Sequence, residues 1–213
     1  MVIAVMAIMI GLVGFSFSGS GGGQLGQGQR LILSLLQQVK TLALSTGKEC
    51  RLIVNSDIND EVKFLRYIEI VVQGDQEDSN NSGSWEIYGN GVYLPENVWF
   101  VTEDLKPEEG PVDGYCKWSA SEEESSFQLS YPVSGYRLAD GQDMRDFLYI
   151  SCNSTGRFQT STSLQLVISS GNLRQMDGQL RPFFPNPKIL AGVLIQPFGG
   201  IFSLGADDFV NEN

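Results

Sequence analysis

The chain has 213 residues, of which 42% are hydrophobic, and its formal net charge is −11; this length suits one globular domain, or one domain plus an anchor. It contains no histidine, which excludes histidine-based triads, histidine general bases and histidine metal ligands. The 14 lysines and arginines are scattered and never form a run, so no basic patch is expected to attract nucleic acid. Arg30 is the first charged residue, so all of the charge follows position 29.

The first 17 residues form an uncharged apolar stretch whose only polar residue is Ser16. As a helix they would rise about 25 Å, slightly less than the roughly 30 Å of a hydrocarbon core. A secretory signal peptide would instead open with basic residues. We interpret this stretch as a transmembrane helix whose first residues are missing; a buried core helix and an unusual signal peptide are the alternatives. The residues expected in the membrane and in assembly contacts are Val2, Ile3, Val5, Met6, Ile8, Met9, Ile10, Leu12 and Val13.

The run from Val2 to Leu12 resembles the apolar stretch that follows the processing site of type IV pilins and type II secretion pseudopilins. In that family a basic leader ends in Gly, the mature chain begins with an N-methylated Phe, and a Glu follows four residues later. This sequence lacks the leader, the Phe and the Glu. The resemblance therefore implies that Met1 is an internal residue and that the start is misplaced or the chain truncated.

Residues 18–29 form a glycine-rich segment that contains six glycines. Each glycine costs a helix interior about 1 kcal/mol relative to Ala. We therefore expect the helix to break here and to form a joint between anchor and head. The joint would be either a flexible linker or a melted segment that lets the head adjust when subunits pack.

Residues 30–46 form the clearest helix, because apolar residues recur at three- and four-residue spacing and Gly47 follows as a stop. An amphipathic helix that ends in Ser-Thr-Gly-Lys and runs into a strand resembles the H-type minor pseudopilins, the GspH/FimT family. The side chains expected to pack on the head are Leu31 (or Ile32 in its place), Leu35, Val39, Leu42 and Ala43.

Strand-like segments dominate the rest of the chain. Residues 49–55 and 64–73 flank a polar turn and predict a hairpin. Pro95 is expected to end a strand, and Glu96 and Asn97 to turn the chain into the next one; this Leu-Pro-x-x-Val-x-Phe step resembles one common in the H-type group. Other predicted strands cover residues 85–88, 91–101, 115–119, 126–131, 147–152, 163–169, 189–196 and 200–204.

These elements predict an α+β fold, in which a hydrophobic N-terminal helix packs on a C-terminal antiparallel β-sheet or β-sandwich head. The helix would be a pilin-like stalk interrupted at the glycine-rich segment. The predicted parts are a transmembrane helix at 1–17, a joint at 18–29, an amphipathic helix at 30–46 and an extracytoplasmic head at 47–213.

An acidic turn offers closely spaced oxygen ligands, as a calcium loop would, at Asp57, Asn59, Asp60 and Glu61. It lacks the glycine and the distant glutamate of an EF-hand, so a solvated hairpin turn is favoured over a calcium site. A second acidic loop at Asp75, Glu77 and Asp78 is interpreted in the same way.

Three cysteines, Cys50, Cys116 and Cys152, are too widely spaced for a zinc site. Two of them could form one disulfide in an oxidising compartment, or all three could be small buried hydrophobes.

No nucleotide or hydrolase motif is present, no carboxylate pair stands out, and no cofactor is expected. Aromatic residues could line a sugar-binding face, although aromatics on strands are more often core residues. These aromatics are Trp85, Tyr88, Tyr93, Trp99 and Trp118.

The resemblance implies a minor pseudopilin or minor pilin of a type II secretion system or type IV pilus, and no enzymatic activity. Such subunits span the bacterial inner membrane once, with the head in the periplasm, and are cut and methylated by a prepilin peptidase. Their partners are other pilin or pseudopilin subunits rather than nucleic acid. The alternatives are a membrane-anchored β-sandwich that binds carbohydrate or another surface ligand, and a glycosidase that uses acidic residues.

Overall fold

The computed structural model describes residues 22–74, 85–102, 105, 147–160, 163–176, 178–186 and 189–209. The predicted membrane helix and the predicted strands at 115–119 and 126–131 lie outside these residues. Within the described ranges the elements are α1 (Gly22–Thr46), β1 (Cys50–Asn55), β2 (Tyr67–Gln73), β3 (Trp85–Tyr93), β4 (Val98–Phe100), β5 (Phe147–Cys152), β6 (Leu164–Ser170), β7 (Asn172–Met176), β8 (Gln179–Phe183), β9 (Leu190–Ile195), β10 (Ile201–Leu204) and a 3-10 helix (Ala206–Phe209).

The strands form antiparallel sheets, which confirms the predicted α+β class. One four-stranded sheet has the order β3-β2-β1-β5, a second has the order β10-β9-β6-β4, and β7 pairs with β8. The predicted hairpin at the start of the head is also confirmed, since β1 and β2 pair with Leu52 opposite Ile70. Alternation along β1 places Leu52 and Val54 in the main core and Ile53 in a separate cluster on the other face of the sheet.

The strand β3 is one continuous strand, where the sequence predicted two separate ones. Its register with β2 shifts between Ile68 and Ile70, so the extra residues bulge instead of ending the strand. Gly91 lies in this bulge. Only glycine fits at this position, because the Tyr67 side chain occupies the place that a Cβ would need. The predicted turn after Pro95 is confirmed: Asn97 has a φ of 60° and β4 begins at the next residue.

The helix α1 begins at Gly22 rather than at Arg30, so the predicted joint at 18–29 is helical from residue 22 onward. The interruption expected there is absent from residues 22–46. Contacts with the sheets offset the low helix propensity of the glycines. Leu25 is 3% exposed, Gly28 lies against Ile168, and the amide Nε2 of Gln29 donates to two backbone carbonyls 2.7 Å away.

The main core is shared by α1 and by strands of both four-stranded sheets, which the helix contacts. The backbone N–H of Phe100 in β4 donates to the carbonyl of Leu65, in the turn before β2, which ties the two sheets together. The helix ends as predicted, with Gly47 at a φ of 67° and its N–H bonded to the carbonyl of Ala43. The helix and both four-stranded sheets contribute large side chains with no more than 1% exposure: Ile32, Leu36, Leu52, Ile68, Phe100, Leu166 and Ile168.

The hairpin of β7 and β8 was not predicted from the sequence. All five residues of β7 are exposed, so this strand lacks the alternation by which half-buried strands are recognised. Asp177-Gly178, the dipeptide between the strands, is a favoured two-residue hairpin loop and was the available signal.

Candidate functional site

Three exposed apolar side chains lie near the C-terminal end of α1. Phe198, in the loop between β9 and β10, is 82% exposed; Phe202 in β10 is 51% exposed, and Leu44 in the helix is 54% exposed. We call these three residues the Phe198 patch. Exposed side chains of this size are common one by one, but a group of them marks an interaction surface.

The loop that carries Phe198 is held by its own backbone. The N–H of Gln196 donates to the carbonyl of Gly200, and the N–H of Gly199 donates to the carbonyl of Gln196, both over 2.8 Å. Gly199 has a φ of 88°, a conformation that other residues rarely adopt. These bonds hold the backbone around Phe198 in a closed turn, and its side chain is exposed to solvent.

Two glycines bring this loop close to the helix. A Cβ on Gly199 would lie 2.9 Å from both the carbonyl oxygen of Gly156 and the Nζ of Lys40. The ammonium of Lys40 donates to the carbonyl of Gly199 over 2.9 Å. A Cβ on Gly156 would lie 3.0 Å from the Cγ of Leu44, so the helix, the turn at Gly156 and the β9–β10 loop meet at this surface.

The Phe198 patch is suited to association rather than to catalysis. Its three side chains carry no nucleophile, acid or metal ligand, and removing their apolar surface from water is favourable. Sequence analysis predicted strands on both sides of this loop but missed the patch. The sequence feature that could have revealed the patch is the phenylalanine in the turn Pro197-Phe198-Gly199-Gly200. Turns lie on the surface, so a side chain there is rarely buried.

The predicted head-packing residues lie on the inner face of α1. Leu35, Val39, Leu42 and Ala43 are buried, whereas Leu31 is partly buried at the edge of the core. Val39 and Ala43 are 0% exposed, and so are Ile32, the predicted alternative to Leu31, and Leu36, which was not predicted. The predicted membrane and assembly residues between Val2 and Val13 lie outside the described ranges.

The predicted calcium residues lie in the turn between β1 and β2, and their oxygens hold that turn together. Asp57 accepts bonds from the backbone N–H and the side-chain amide of Asn59, and Asp60 accepts one from the N–H of Lys63. Asp60 also pairs with the Lys63 ammonium at 3.7 Å. Among the described residues no cluster of three or more acidic, cysteine or histidine side chains could hold a metal ion. The second acidic loop lies outside the described ranges.

Cys50 and Cys152 are directly opposite each other on β1 and β5. Both are free thiols, both are 0% exposed, and both belong to the face that packs on the helix. Burial raises the pKa of Cys152 to about 11, with a smaller contribution from the neighbouring Cys50, and burial also raises the pKa of Cys50. Cys116 lies outside the described ranges, so of the three cysteines the structure brings these two together.

The aromatic residues do not form one open face. Trp85 and Trp99 are 3% and 2% exposed, so both are core residues. The guanidinium of Arg51 lies over the rings of Trp85 and Tyr149, at 4.2 and 4.3 Å from their centroids.

Arg66 lies over Trp99 at 5.2 Å, and burial lowers the pKa of Arg66. Tyr88 and Tyr93 in β3 are exposed, and Trp118 lies outside the described ranges.

Comparisons of this chain with protein-family models, curated proteins and solved structures give no match. Over the described residues, no helix combines the length and the hydropathy needed to cross a bilayer.

Proposed function

We propose that this chain is a membrane-anchored, pilin-like assembly subunit, a minor pseudopilin or minor pilin of a type II secretion system or type IV pilus. One observation carries the proposal: the 25-residue helix α1 follows closely on an uncharged apolar stretch and packs along antiparallel sheets. The subunit would act by association and would have no enzymatic activity. It would reside in the bacterial inner membrane, with one membrane span and the head in the periplasm.

The finer architecture is part of this proposal. The apolar stretch and α1 would together form a pilin-like stalk, and the two four-stranded sheets would form a β-sandwich head. A core that combines α1 with both sheets supports this arrangement, because the helix contributes its stripe to the same interior as the strands. Helicity from Gly22 onward supports a stalk that extends toward the apolar stretch.

The proposed assembly uses two kinds of apolar contact. The N-terminal helices would leave the bilayer and pack against those of neighbouring pilin-like subunits. The Phe198 patch would give the head a second contact with an adjacent subunit, since Phe198 is 82% exposed at a fixed position beside the helix. A prepilin peptidase would process the full-length precursor, and neither nucleic acid nor a cofactor would take part.

Recovery of the native N-terminus tests the family. The reading frame upstream of Met1 is expected to encode a basic leader, a Gly-Phe junction and a Glu four residues after the Phe. Mass spectrometry of the protein from its native membrane is expected to find an N-methylated Phe. An upstream frame without such a junction, or a freely soluble full-length product, would refute the proposal.

Cross-linking of subunits tests the role of the Phe198 patch. The substitution Phe198→Ser is expected to reduce cross-linking between heads in native membranes, because it removes the most exposed apolar side chain of the patch. Val62→Ser is a matched control, since Val62 is 66% exposed and lies in the turn beyond the other end of β1. Equal cross-linking in both variants and the wild type would exclude the patch from assembly.

The second candidate is a membrane-anchored β-sandwich that binds carbohydrate or another surface ligand. The observation in its favour is that Tyr88 and Tyr93 are 46% and 44% exposed on the single strand β3. Because Trp85 and Trp99 are buried, Tyr88 and Tyr93 are the exposed members of the candidate aromatics among the described residues. Binding on a glycan array that is lost in a Tyr88→Ala variant would favour this function over assembly.

A further inference from the structure

The β7–β8 hairpin places two arginines side by side. Arg174 and Arg181 are directly opposite in the antiparallel register, so their side chains leave the same face of the hairpin. Like charges at directly opposite positions destabilise a strand pair. The pair is conspicuous in a chain with 14 basic and 25 acidic residues, because carboxylate partners for arginine are abundant.

Arg181 has hydrogen-bonding capacity that its neighbours do not use. Its Nη2 donates to the side-chain oxygen of Gln179 over 3.3 Å, whereas its Nε is buried and has no partner. No carboxylate of the described residues forms an ion pair with Arg181. The two Nη groups form the outer edge of the guanidinium, and such an edge fits the two oxygens of a carboxylate.

Arg181 also lines a cavity of about 170 Å³. Its apolar wall includes Phe64, Leu105 and Leu148, and the hydroxyl residues Ser56 and Thr102 are also at the cavity. The cavity therefore offers a cationic group, two neutral polar residues and an apolar wall. This combination suits a ligand with an anionic head and a short apolar tail.

Arg174 strengthens the preference for an anion. Its guanidinium carbon lies 3.6 Å from the centroid of the Phe183 ring, which holds the side chain on the face that it shares with Arg181. A cation would be repelled by two guanidinium groups, and a neutral oxygen would accept weaker hydrogen bonds from Arg181 than a charged carboxylate does. A bound carboxylate would accept hydrogen bonds from Arg181 and relieve the repulsion between the arginines.

We propose that this cavity is a binding site for a carboxylate group that carries a short apolar tail. Arg181 binds the two carboxylate oxygens, Arg174 supplies a second positive charge, and the Phe64 side of the cavity contacts the tail. The cavity is smaller than the roughly 300–1,000 Å³ of pockets for drug-sized ligands, so it takes a small acid or the carboxyl end of a peptide. This site does not depend on the proposed assembly role.

Binding of hexanoate to the full-length protein in detergent, measured by titration calorimetry, tests the site. Hexan-1-ol and hexylamine serve as tail-matched controls without the anion. Hexanoate is expected to bind more tightly than either, and Arg181→Gln is expected to weaken its binding about tenfold or more, because charged hydrogen bonds are lost. Arg157→Gln, at an exposed arginine outside the cavity, is expected to bind like the wild type.

A second variant keeps the test valid if Arg181→Gln fails to fold. Arg181→Lys retains the charge but loses the planar edge, so hexanoate binding is expected to weaken with the fold intact. A hydrophobic peptide with a free C-terminus, compared with its amidated form, separates a peptide ligand from a small acid. Equal binding of hexanoate and hexan-1-ol, equal binding by the Arg181 and Arg157 variants, or binding of neither hexanoate nor the free peptide would overturn the proposal.

Discussion

Residues 22–29 and residues 30–46 form one continuous helix, but they owe their helical structure to different causes. The second part carries its own pattern, with apolar residues at three- and four-residue spacing and strong helix formers between them. In the first part, four of the eight residues are glycine, so its intrinsic helix propensity is low. Burial of Leu25 and the contacts of Gly28 and Gln29 with the second sheet compensate for this low helix propensity.

This difference shows how a glycine-rich segment can be ordered where the chain would be expected to bend. A Cβ on Gly28 would lie 3.1 Å from the Cδ1 of Ile168 in the second sheet, whereas no atom lies within 4 Å of a Cβ on Gly23 or Gly26. Of these three glycines, Gly28 therefore allows the packing, and Gly23 and Gly26 only weaken the helix. The contrast predicts that the two parts respond differently to substitution.

The largest effect is expected in the second part, from Leu36→Ala. Leu36 is 0% exposed, and loss of its side chain leaves a cavity in the shared core. We expect the free energy of unfolding to fall by about 2–5 kcal/mol, measured by urea denaturation. Leu44→Ala removes the same side chain at a position that is 54% exposed, and should change stability by less than about 0.5 kcal/mol. Equal losses in both variants would contradict the packing of α1.

A smaller effect is expected from Gly28→Leu in the first part. A Cβ at this position already lies 3.1 Å from the Cδ1 of Ile168, so a larger side chain must push the helix away from the sheet. We expect a loss of about 1–3 kcal/mol and faster hydrogen exchange in residues 22–29. Gly23→Leu is the matched control, because no atom lies within 4 Å of a Cβ there. A destabilisation by Gly23→Leu as large as that by Gly28→Leu would argue against the close approach.

Alkaline pH should destabilise the core beneath the second part of the helix. Because burial raises the pKa of Cys152 from 9.0 to about 11, the folded state keeps the thiol proton that the unfolded chain loses in this range. The contribution of this thiol to the free energy of unfolding is therefore fully present below pH 9. It falls as pH rises toward 11, by at most about 1.4 kcal/mol per pH unit. Urea denaturation at several pH values should show this slope in the wild type and a smaller slope in Cys152→Ala. An unchanged slope in the variant would assign the effect to other groups.

Gln29→Ala should loosen the start of the helix. It removes two hydrogen bonds, to the carbonyls of Gly192 and Leu204, each 2.7 Å long. We expect a loss of about 1 kcal/mol, with faster hydrogen exchange over residues 22–29 and little change over residues 30–46. Gln37→Ala changes the same residue type at an exposed position of the second part and should have no such effect. Uniform exchange changes along the whole helix would mean that the two parts are not distinct.

The smallest effect is a gain in stability from Gly26→Ala. No atom lies within 4 Å of a Cβ at this position, so the substitution adds helix propensity without a clash. We expect a gain of about 0.5–1 kcal/mol, seen as a higher melting temperature. A lower melting temperature would show that residue 26 is more crowded than the structure indicates.

Sequence patterns determined those parts of the fold whose signals are local. Strand-like composition identified β1 and β5, and Pro95 with Asn97 identified the turn into β4, because strand propensity and turn chemistry are properties of neighbouring residues. The same holds for α1 from residue 30 to its end before Gly47. The absence of histidine is likewise a fact of the sequence that no fold alters.

Only the tertiary structure decided the features that depend on residues distant in sequence. The start of α1 depends on strands more than 60 residues later, and no local pattern brings Cys50 opposite Cys152 or exposes Phe198 beside the helix. The tertiary structure likewise decided the placement of Arg174 and Arg181. The pairing of β7 with β8 brings them side by side, and other segments of the chain form the cavity that Arg181 lines. Local propensity contributes at most about 1 kcal/mol per residue, so contacts of this kind can outweigh it.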